Sequence, residues 1–295
     1  MRGVRVLALA AVAAGIALAG VTRGEPARAP LVRSGYTVLV GDFHVHGFPD
    51  GILPADAVRE AARRRLDVIA LTSHNSLRGW WLWTHMSWSA AESPVIVLPG
   101  EELTSAGYHL AIVGVSRIVP WRQPLASAAA AAHAQGAIAI LAHPSRRELK
   151  RWFADGALWT VDGVEVAHPE DESSPDARQE FIDVFGHALS VKAGMAAIGS
   201  SDFHYFGPIG VNRTYLFVRE ATANGVLDAI RAGRTVACDA RGHAFGPPDL
   251  VSMVEARCLE DTMAPPVGDT AASRIGTALA WAGLAALVLL GPSRL

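Results

Sequence analysis

Short apolar runs without polar alternation recur through the middle of the chain: Val68-Ile69-Ala70-Leu71, Val95-Ile96-Val97-Leu98, Leu110-Ala111-Ile112-Val113, Ala137 to Leu141, Gly163-Val164-Glu165-Val166 and Met195 to Ile198. Tyr36 to Val40, Thr214 to Val218 and Thr235 to Ala237 add further strand-like runs. Strands of this kind are buried on both faces, as in parallel sheets covered by helices. Helical segments lie between them. Pro54 to Arg65 carries Pro near its start and Ala57, Val58, Ala61 and Ala62 on one face. Leu125 to Gln135 is Ala-rich and closed by Gly136, Phe181 to Lys192 follows, and Asn224 to Arg231 stops at Gly233. The alternation predicts an α/β fold, a (β/α) barrel. The barrel must be distorted between Val95 and Leu110, because no full helix fits between those two strands.

The two ends follow another pattern. Arg2 and Arg5 precede an apolar run from Val6 to Val21, then Arg23, so residues 1–23 are expected to be a signal peptide or signal anchor. Ala17-Leu18-Ala19 offers a small-x-small cleavage site before Gly20. A second run, Ile275 to Leu290, follows a loose, proline-containing stretch. The expected layout is thus a tail or linker at 241–274 and a C-terminal transmembrane helix at 275–291. At ~1.5 Å per residue that run falls slightly short of a ~30 Å hydrocarbon core. The basic N-terminus places the middle of the chain outside the cytoplasm, as a membrane-anchored periplasmic or cell-surface domain.

Composition narrows the partners. The net charge is −2 and only 18% of residues are charged, so there is no strong nucleic-acid signal, and a small-molecule substrate is expected. Cys238 and Cys258 belong to no CxxC pair; two unpaired thiols are the favoured expectation and a single disulfide the alternative.

The chemistry lies in where the histidines fall. His44 and His46 follow the first strand, His74 follows Leu71, Glu101 and Glu102 follow Leu98, His143 follows Leu141, and Asp202 and His204 follow Ile198. Each lies just beyond the carboxyl end of an apolar strand, the rim on which barrel active sites are built. Imidazole and carboxylate together are ligands for Zn²⁺, Mn²⁺ or Fe²⁺. His44-Val45-His46 places two imidazoles on one side of an extended segment, and Asp202-Phe203-His204 repeats that spacing with one carboxylate. The donors outnumber what one four- or five-coordinate ion accepts, so two or three ions are implied. No GxSxG elbow supports a nucleophilic triad.

Over residues 36–240 these motifs resemble the PHP (polymerase and histidinol phosphatase) metal-dependent hydrolases. His44-Val45-His46 with Asp50-Gly51, Thr72-Ser73-His74, Pro99 to Thr104 followed by His109, Ala142-His143-Pro144 and Ser201 to His204 match the family's five motifs in order. The stretches Ile209 to Tyr215 and Ala229 to Arg234 look like the carbaryl-hydrolase-type subgroup. The resemblance implies a distorted (β/α)7 barrel, here with N- and C-terminal hydrophobic segments, and a two- or three-metal site. Carried over, His44, His46, Glu102 and Asp202 would hold one ion. Glu102 would bridge to a second ion on His109 and His143, and Asp50, His74 and His204 would hold a third. Glu102 is chosen over Glu101 because the family's glutamate precedes an apolar residue and then Thr or Ser. Ser73 stands where the family usually has Asp, which removes a carboxylate that orients an imidazole, at a cost of about 10–100-fold in affinity or rate.

The chemistry expected is attack on phosphorus by a hydroxide bridging the ions. Arg146 and Arg213 are the candidate stabilisers of substrate charge, with Arg78 and Arg117 behind them. His168 is a candidate for the pocket border, His133 for packing, and Trp80, Trp81, Trp83 and Trp88 for an aromatic wall or for core. Two alternatives stand beside a phosphoesterase: a carbamate, amide or ester hydrolase on the same metals, and a membrane-anchored metal-binding protein without turnover. The oligomeric state cannot be read from the sequence.

Overall fold

The computed structural model describes residues 2–19, 30–86, 93–144, 157–205, 207–264, 266 and 271–289. The chain divides into two compact units, Ala29–Ala264 and the pair of termini Met1–Arg28 with Pro265–Leu295. In chain order the elements are α1 (Arg2–Ala19), β1 (Leu31–Arg33), β2 (Tyr36–Val45), α2 (Pro54–Arg63), β3 (Val68–Leu71) and α3 (Arg78–Met86). There follow β4 (Ile96–Thr104), β5 (His109–Val113), α4 (Leu125–His133), β6 (Ile138–Leu141), β7 (Gly163–Ala167), α5 (Pro175–Val191) and β8 (Ala196–Gly199). The last are β9 (Arg213–Val218), α6 (Ala223–Arg231), β10 (Thr235–Cys238), β11 (Ala244–Phe245), α7 (Pro248–Met263) and α8 (Ala271–Leu289).

The expected α/β architecture is present as one mixed sheet in the order β11-β10-β9-β2-β3-β4-β5-β6-β7-β8, curled into a nearly closed barrel. β2, β3 and β4 run parallel, as do β6, β7 and β8. Between them β5 reverses, antiparallel to both β4 and β6. This hairpin is the distortion the short Val95–Leu110 spacing demands. β9 reverses as well, between β2 and β10. The gap between β8 and β9 is closed by a side chain. The Thr214 hydroxyl accepts the Gly199 amide hydrogen and donates to the Gly199 carbonyl, both at 2.9 Å. Only glycine fits there, since a Cβ on Gly199 would lie 2.4 Å from the Arg213 carbonyl oxygen. At the rim the His46 amide donates to the Phe203 carbonyl at 2.7 Å, and the Phe203 amide donates to the His44 carbonyl at 3.2 Å. The segment after β8 is thereby stitched to the end of β2.

Helices cover the strands as the apolar periodicity predicts. Ala57, Val58 and Ala61 of α2 pack on Ile69 and Leu71. Ala128, Ala129 and Ala132 of α4 pack with Leu158, Val164 and Val184, and Val226, Ala229 and Ile230 of α6 with Leu98, Val113 and Ile138. Burial of each Leu or Ile in such a cluster contributes about 1.5–3 kcal/mol. α5 begins six residues earlier than its apolar run suggests, because the Ser174 side chain caps it and Pro175 occupies its first turn. Residues 248–263, within the stretch expected to be a tail, form α7 instead. Its Val254 and Cys258 are buried against the barrel.

Cys238 at the end of β10 and Cys258 of α7 form a disulfide, with Cα atoms 5.8 Å apart. The expectation of two unpaired thiols is therefore corrected. The pairing could not be read from spacing, because it depends on a helix that the polar composition of 248–263 conceals.

In the second unit α1 and α8 pack antiparallel through small residues. A Cβ on Gly15 would lie 2.4 Å from the Ala280 nitrogen, and one on Gly283 would lie 2.7 Å from the Ala8 carbonyl oxygen. Val6, Leu7, Ile16, Ile275, Trp281 and Val288 of this pair are exposed. Among the described residues no helix is long and apolar enough to cross a membrane. The expected C-terminal transmembrane span is not supported: Ala271–Leu289 forms a continuous helix, but not one long and apolar enough to cross a membrane.

Candidate metal centre

Two strand-end features aim the side chains of the rim. β2 stays extended through Val45, so His44 and His46 project to the same side and are fully buried. Beyond β6 and β8 the chain turns sharply: His143 and Asp202 adopt left-handed backbone conformations, with φ of 28° and 46°. Non-glycine residues held there cost of order 1–3 kcal/mol each, and such strain concentrates at functional sites. Here it swings both side chains back over the barrel mouth.

Four buried atoms meet at that mouth. His44 Nε2 and His46 Nε2 each lie 3.2 Å from Asp202 Oδ1 and 3.5 Å from Glu102 Oε2. All four are buried and lack hydrogen-bond partners. Buried polar atoms without partners are rare, and four converging on one point are what a cation site requires. The other oxygen of Glu102 lies 2.6 Å from His109 Nδ1 and 3.1 Å from His143 Nε2. His74 Nδ1 stands 2.5 Å from Glu102 Oε2, and its Nε2 is 3.3 Å from His204 Nε2. The His204 ring stacks on His46 with centroids 3.8 Å apart. The triads His44–His46–Asp202, His44–Glu102–His143 and His46–His74–His204 each bring ligand atoms within 4.8 Å of one another. The residue set thus fits a divalent metal ion, with donors in several overlapping triads.

The electrostatics point the same way. Burial pushes the Glu102 carboxyl up, but His44, His109 and His143 pull it down further, well below the carboxylate range. Burial likewise raises Asp202, and His44, His168 and His46 outweigh it and hold the group ionised. Burial alone would depress His44; Asp202, Glu165 and Glu102 overcome it and raise its pKa well above the ordinary value. The carboxylates create a field that favours a cation at the mouth.

A second layer holds the first. His44 Nδ1 lies 3.0 Å from Glu165 Oε1, and the His143 amide donates to Glu165 Oε2 at 2.6 Å. His168, 1% exposed, places Nε2 3.6 Å from Asp202 Oδ2 and stacks on Phe181. Asp42 accepts from the Ser201 hydroxyl and from the Ser201, Gly210 and His44 amides, tying the loop before Asp202 to β2. Ser73 does not face the mouth: its hydroxyl donates to the Gly47 carbonyl at 2.8 Å. Sequence reasoning passes over Glu165 because it reads as one polar letter inside an apolar strand. That interruption of Gly163 to Ala167 is the one available signal.

Asp50 sits at the edge of the centre, its Oδ2 engaged by His46 Nδ1 at 3.3 Å and the His74 amide at 2.6 Å and its Oδ1 buried without a partner. Other expected residues do not join it. Glu101 points away, accepting the Val119 amide hydrogen at 2.6 Å, and burial pushes its carboxyl up to about 7. Arg213 is buried, and its guanidinium donates to the Gly210 and Arg64 carbonyls, so it braces a loop and is not brought to the carboxylates. Arg146 and Trp88 lie outside the described residues. Trp80 and Trp83 pack into the core beside α2, and Trp81 is exposed against His85. His133 pairs with Asp162 at 2.7 Å.

No protein-family model matches the chain, and no curated protein matches it. Among solved structures it is similar to a two-domain protein from Bacteroides vulgatus that contains a predicted PHP-like metal-dependent phosphoesterase. That likeness has 22% identity, covers 80% of this chain and 75% of that one, and has a TM-score of 0.61. It is also similar to PsfC from Pseudomonas syringae (17% identity, 76% and 98% covered, TM-score 0.48) and to a lesion-specific endonuclease from Pyrococcus furiosus (12%, 82% and 71%, 0.47). The Bacteroides likeness establishes the fold: over four-fifths of its length the chain adopts the same distorted barrel.

Proposed function

We propose that the chain is a divalent-metal-dependent hydrolase of the PHP type that cleaves phosphoric esters of small molecules. The observation that carries this reading is the convergence of His44 Nε2, His46 Nε2, Glu102 Oε2 and Asp202 Oδ1, buried and without hydrogen-bond partners. His44, His46, Glu102 and Asp202 would hold one ion. Glu102 would serve a second with His109 and His143, and His74, His204 and Asp50 would serve a third. Bound Mn²⁺, Zn²⁺ or Fe²⁺ supplies Lewis-acid charge and lowers the pKa of water at the mouth. Glu102 and Asp202 stay ionised there, held so by the surrounding histidines.

The experiment is metal analysis of the purified full chain, then assay with nitrophenyl phosphate, phosphodiester, acetate and carbamate substrates in Mn²⁺ or Zn²⁺. Two to three ions per chain and phosphate-ester turnover are expected. Fewer than one ion sinks the reading. Turnover of carbamates alone moves the chain to the narrower carbaryl-hydrolase-type likeness of residues 209–215 and 229–234.

The domain is proposed to work outside the cytoplasm, attached to a membrane through the apolar α1–α8 pair. The Cys238–Cys258 disulfide supports an oxidising compartment, and the exposed apolar side chains of α1 and α8 support attachment. Fractionation of cells with the full chain tests this, and recovery in the soluble cytoplasm overturns it.

A further inference from the structure

We propose that Glu165 is the positioning residue of the metal centre, fixing the tautomer and aim of His44 and the backbone turn at His143. The inference rests on the metal-site reading above and extends it to a residue that touches no proposed ion. Along β7, Val164 and Val166 face the outer apolar cluster, so period-two alternation turns Glu165 toward the barrel interior. There it is completely buried, and an isolated carboxylate at such a point costs several kcal/mol. The cost is offset by three groups. His44 Nδ1 lies 3.0 Å from Oε1, the Ser200 hydroxyl donates to Oε1 at 2.7 Å, and the His143 amide donates to Oε2 at 2.6 Å.

Each contact has a consequence. An ionised carboxylate only accepts, so the proton of neutral His44 sits on Nδ1. Nε2 then carries its lone pair toward Asp202 Oδ1 and Glu102 Oε2, 3.2 and 3.5 Å away. With Nδ1 unpartnered, the ring could protonate at Nε2 or rotate, and either change removes one ligand. The contact to the His143 amide anchors a residue whose φ of 28° needs outside support. One carboxylate thus sets ligands on two neighbouring sites, from the opposite wall to Ser73. Ser73, bonded to Gly47, cannot do so.

Glutamine at 165 is isosteric but has a single acceptor. Its amide NH₂ must oppose either the His143 amide or His44 Nδ1, so the contacts to both ligands cannot survive together. The test uses metal-stripped full-length protein, with Mn²⁺ titrated by calorimetry into wild type, Glu165→Gln and His44→Ala. Glu165→Gln is expected to weaken the tightest Mn²⁺ step about 10–100-fold, while its metal-free unfolding midpoint stays within a few degrees of wild type. Mn²⁺ binding by Glu165→Gln as tight as wild type overturns the inference when His44→Ala has lost that step. If His44→Ala also binds normally, the metal-site reading itself is wrong. A measurement on the unsubstituted chain stands apart from variant folding: in the Zn²⁺-loaded protein, ¹⁵N spectra of the ring assigned to His44 should show the proton on Nδ1, and a proton on Nε2 overturns the proposal.

Discussion

His46 and Asp50 face each other across the loop after β2, with Nδ1 3.3 Å from Oδ2, and the same oxygen accepts the His74 amide hydrogen at 2.6 Å. Asp50 therefore couples two proposed ligands through one atom, while its Oδ1 is buried without a partner. Burial pushes its carboxyl up, and the His46 and His74 contacts outweigh this and hold it below its ordinary value. Asp50→Ala should free the His46 ring and leave the His74 amide unmatched. Metal content by elemental analysis is expected to fall by about one ion per chain, with turnover down roughly 10–100-fold. Unchanged content would leave Asp50 with no part in holding metal.

Glu102 is the hub of the centre. Its Oε1 faces His109 and His143 and its Oε2 faces His44, His46 and His74. Glu102→Gln keeps the shape but replaces one oxygen by an NH₂ that cannot ligate. Because the carboxylate serves two proposed ions, the loss should exceed that of any single histidine: about 3–4 kcal/mol, or roughly 10²–10³-fold in kcat/KM. Steady-state kinetics at saturating Mn²⁺ measures it. A loss under tenfold would mean Glu102 does not bridge.

The barrel was legible because its signal is local: four-residue runs such as Val68–Leu71 and Ile138–Leu141 are buried at every position, and periodicity finds such runs. The rim was legible because a strand end followed by His or Asp needs no long-range information. What escaped reading is set by tertiary partners. Glu165 gains its role only once His44 and His143 are brought beside it. Arg213 looks like a phosphate-binding cation until the loop at Gly210 claims its guanidinium. α7 hides because its packing face is narrow, with Val254 and Cys258 among charged neighbours, and the disulfide hides with it.

On the acid side, stability should depend on Asp239. This buried carboxylate accepts from the His243 and Arg241 amides at 2.8 and 2.9 Å and pairs with Arg178. Burial pushes its pKa up, and these contacts outweigh that and lower it. A lowered native pKa means the stabilisation is fully present above the unfolded value of about 3.9 and is lost as pH falls through the native value. Thermal unfolding between about pH 5 and pH 3 should therefore fall more steeply for wild type than for Asp239→Asn. Parallel curves would remove Asp239 from the acid transition.

The disulfide closes a loop between residues 20 positions apart, joining the last barrel strand to α7. A loop of this length stabilises by about 3 kcal/mol in the chain-entropy model. The double variant Cys238→Ala, Cys258→Ala should lose about that amount in denaturant unfolding, with the metal-dependent activity retained under native conditions. A loss well under 1 kcal/mol would show that α7 is held by packing of Val254 and its neighbours alone.

Below the rim, β8 and β9 are joined through the Thr214 hydroxyl. Thr214 Oγ1 both accepts from and donates to Gly199, and no backbone ladder joins β8 to β9. Thr214→Val preserves the shape and leaves a buried amide and a buried carbonyl unmatched, each costing about 1–3 kcal/mol. A total of about 2–6 kcal/mol corresponds to a fall of roughly 5–20 °C in Tm for a domain of this size. Thr214→Ser keeps the hydroxyl and should lose far less. The effect should also reach the metals, because β8 leads directly into Asp202, whose left-handed turn needs a fixed strand end beneath it. Weaker Mn²⁺ binding in the valine variant, but not in the serine variant, would tie closure to the site. Equal stability of the two variants would mean that the rim contacts of Phe203 with His44 and His46 close the barrel without Thr214.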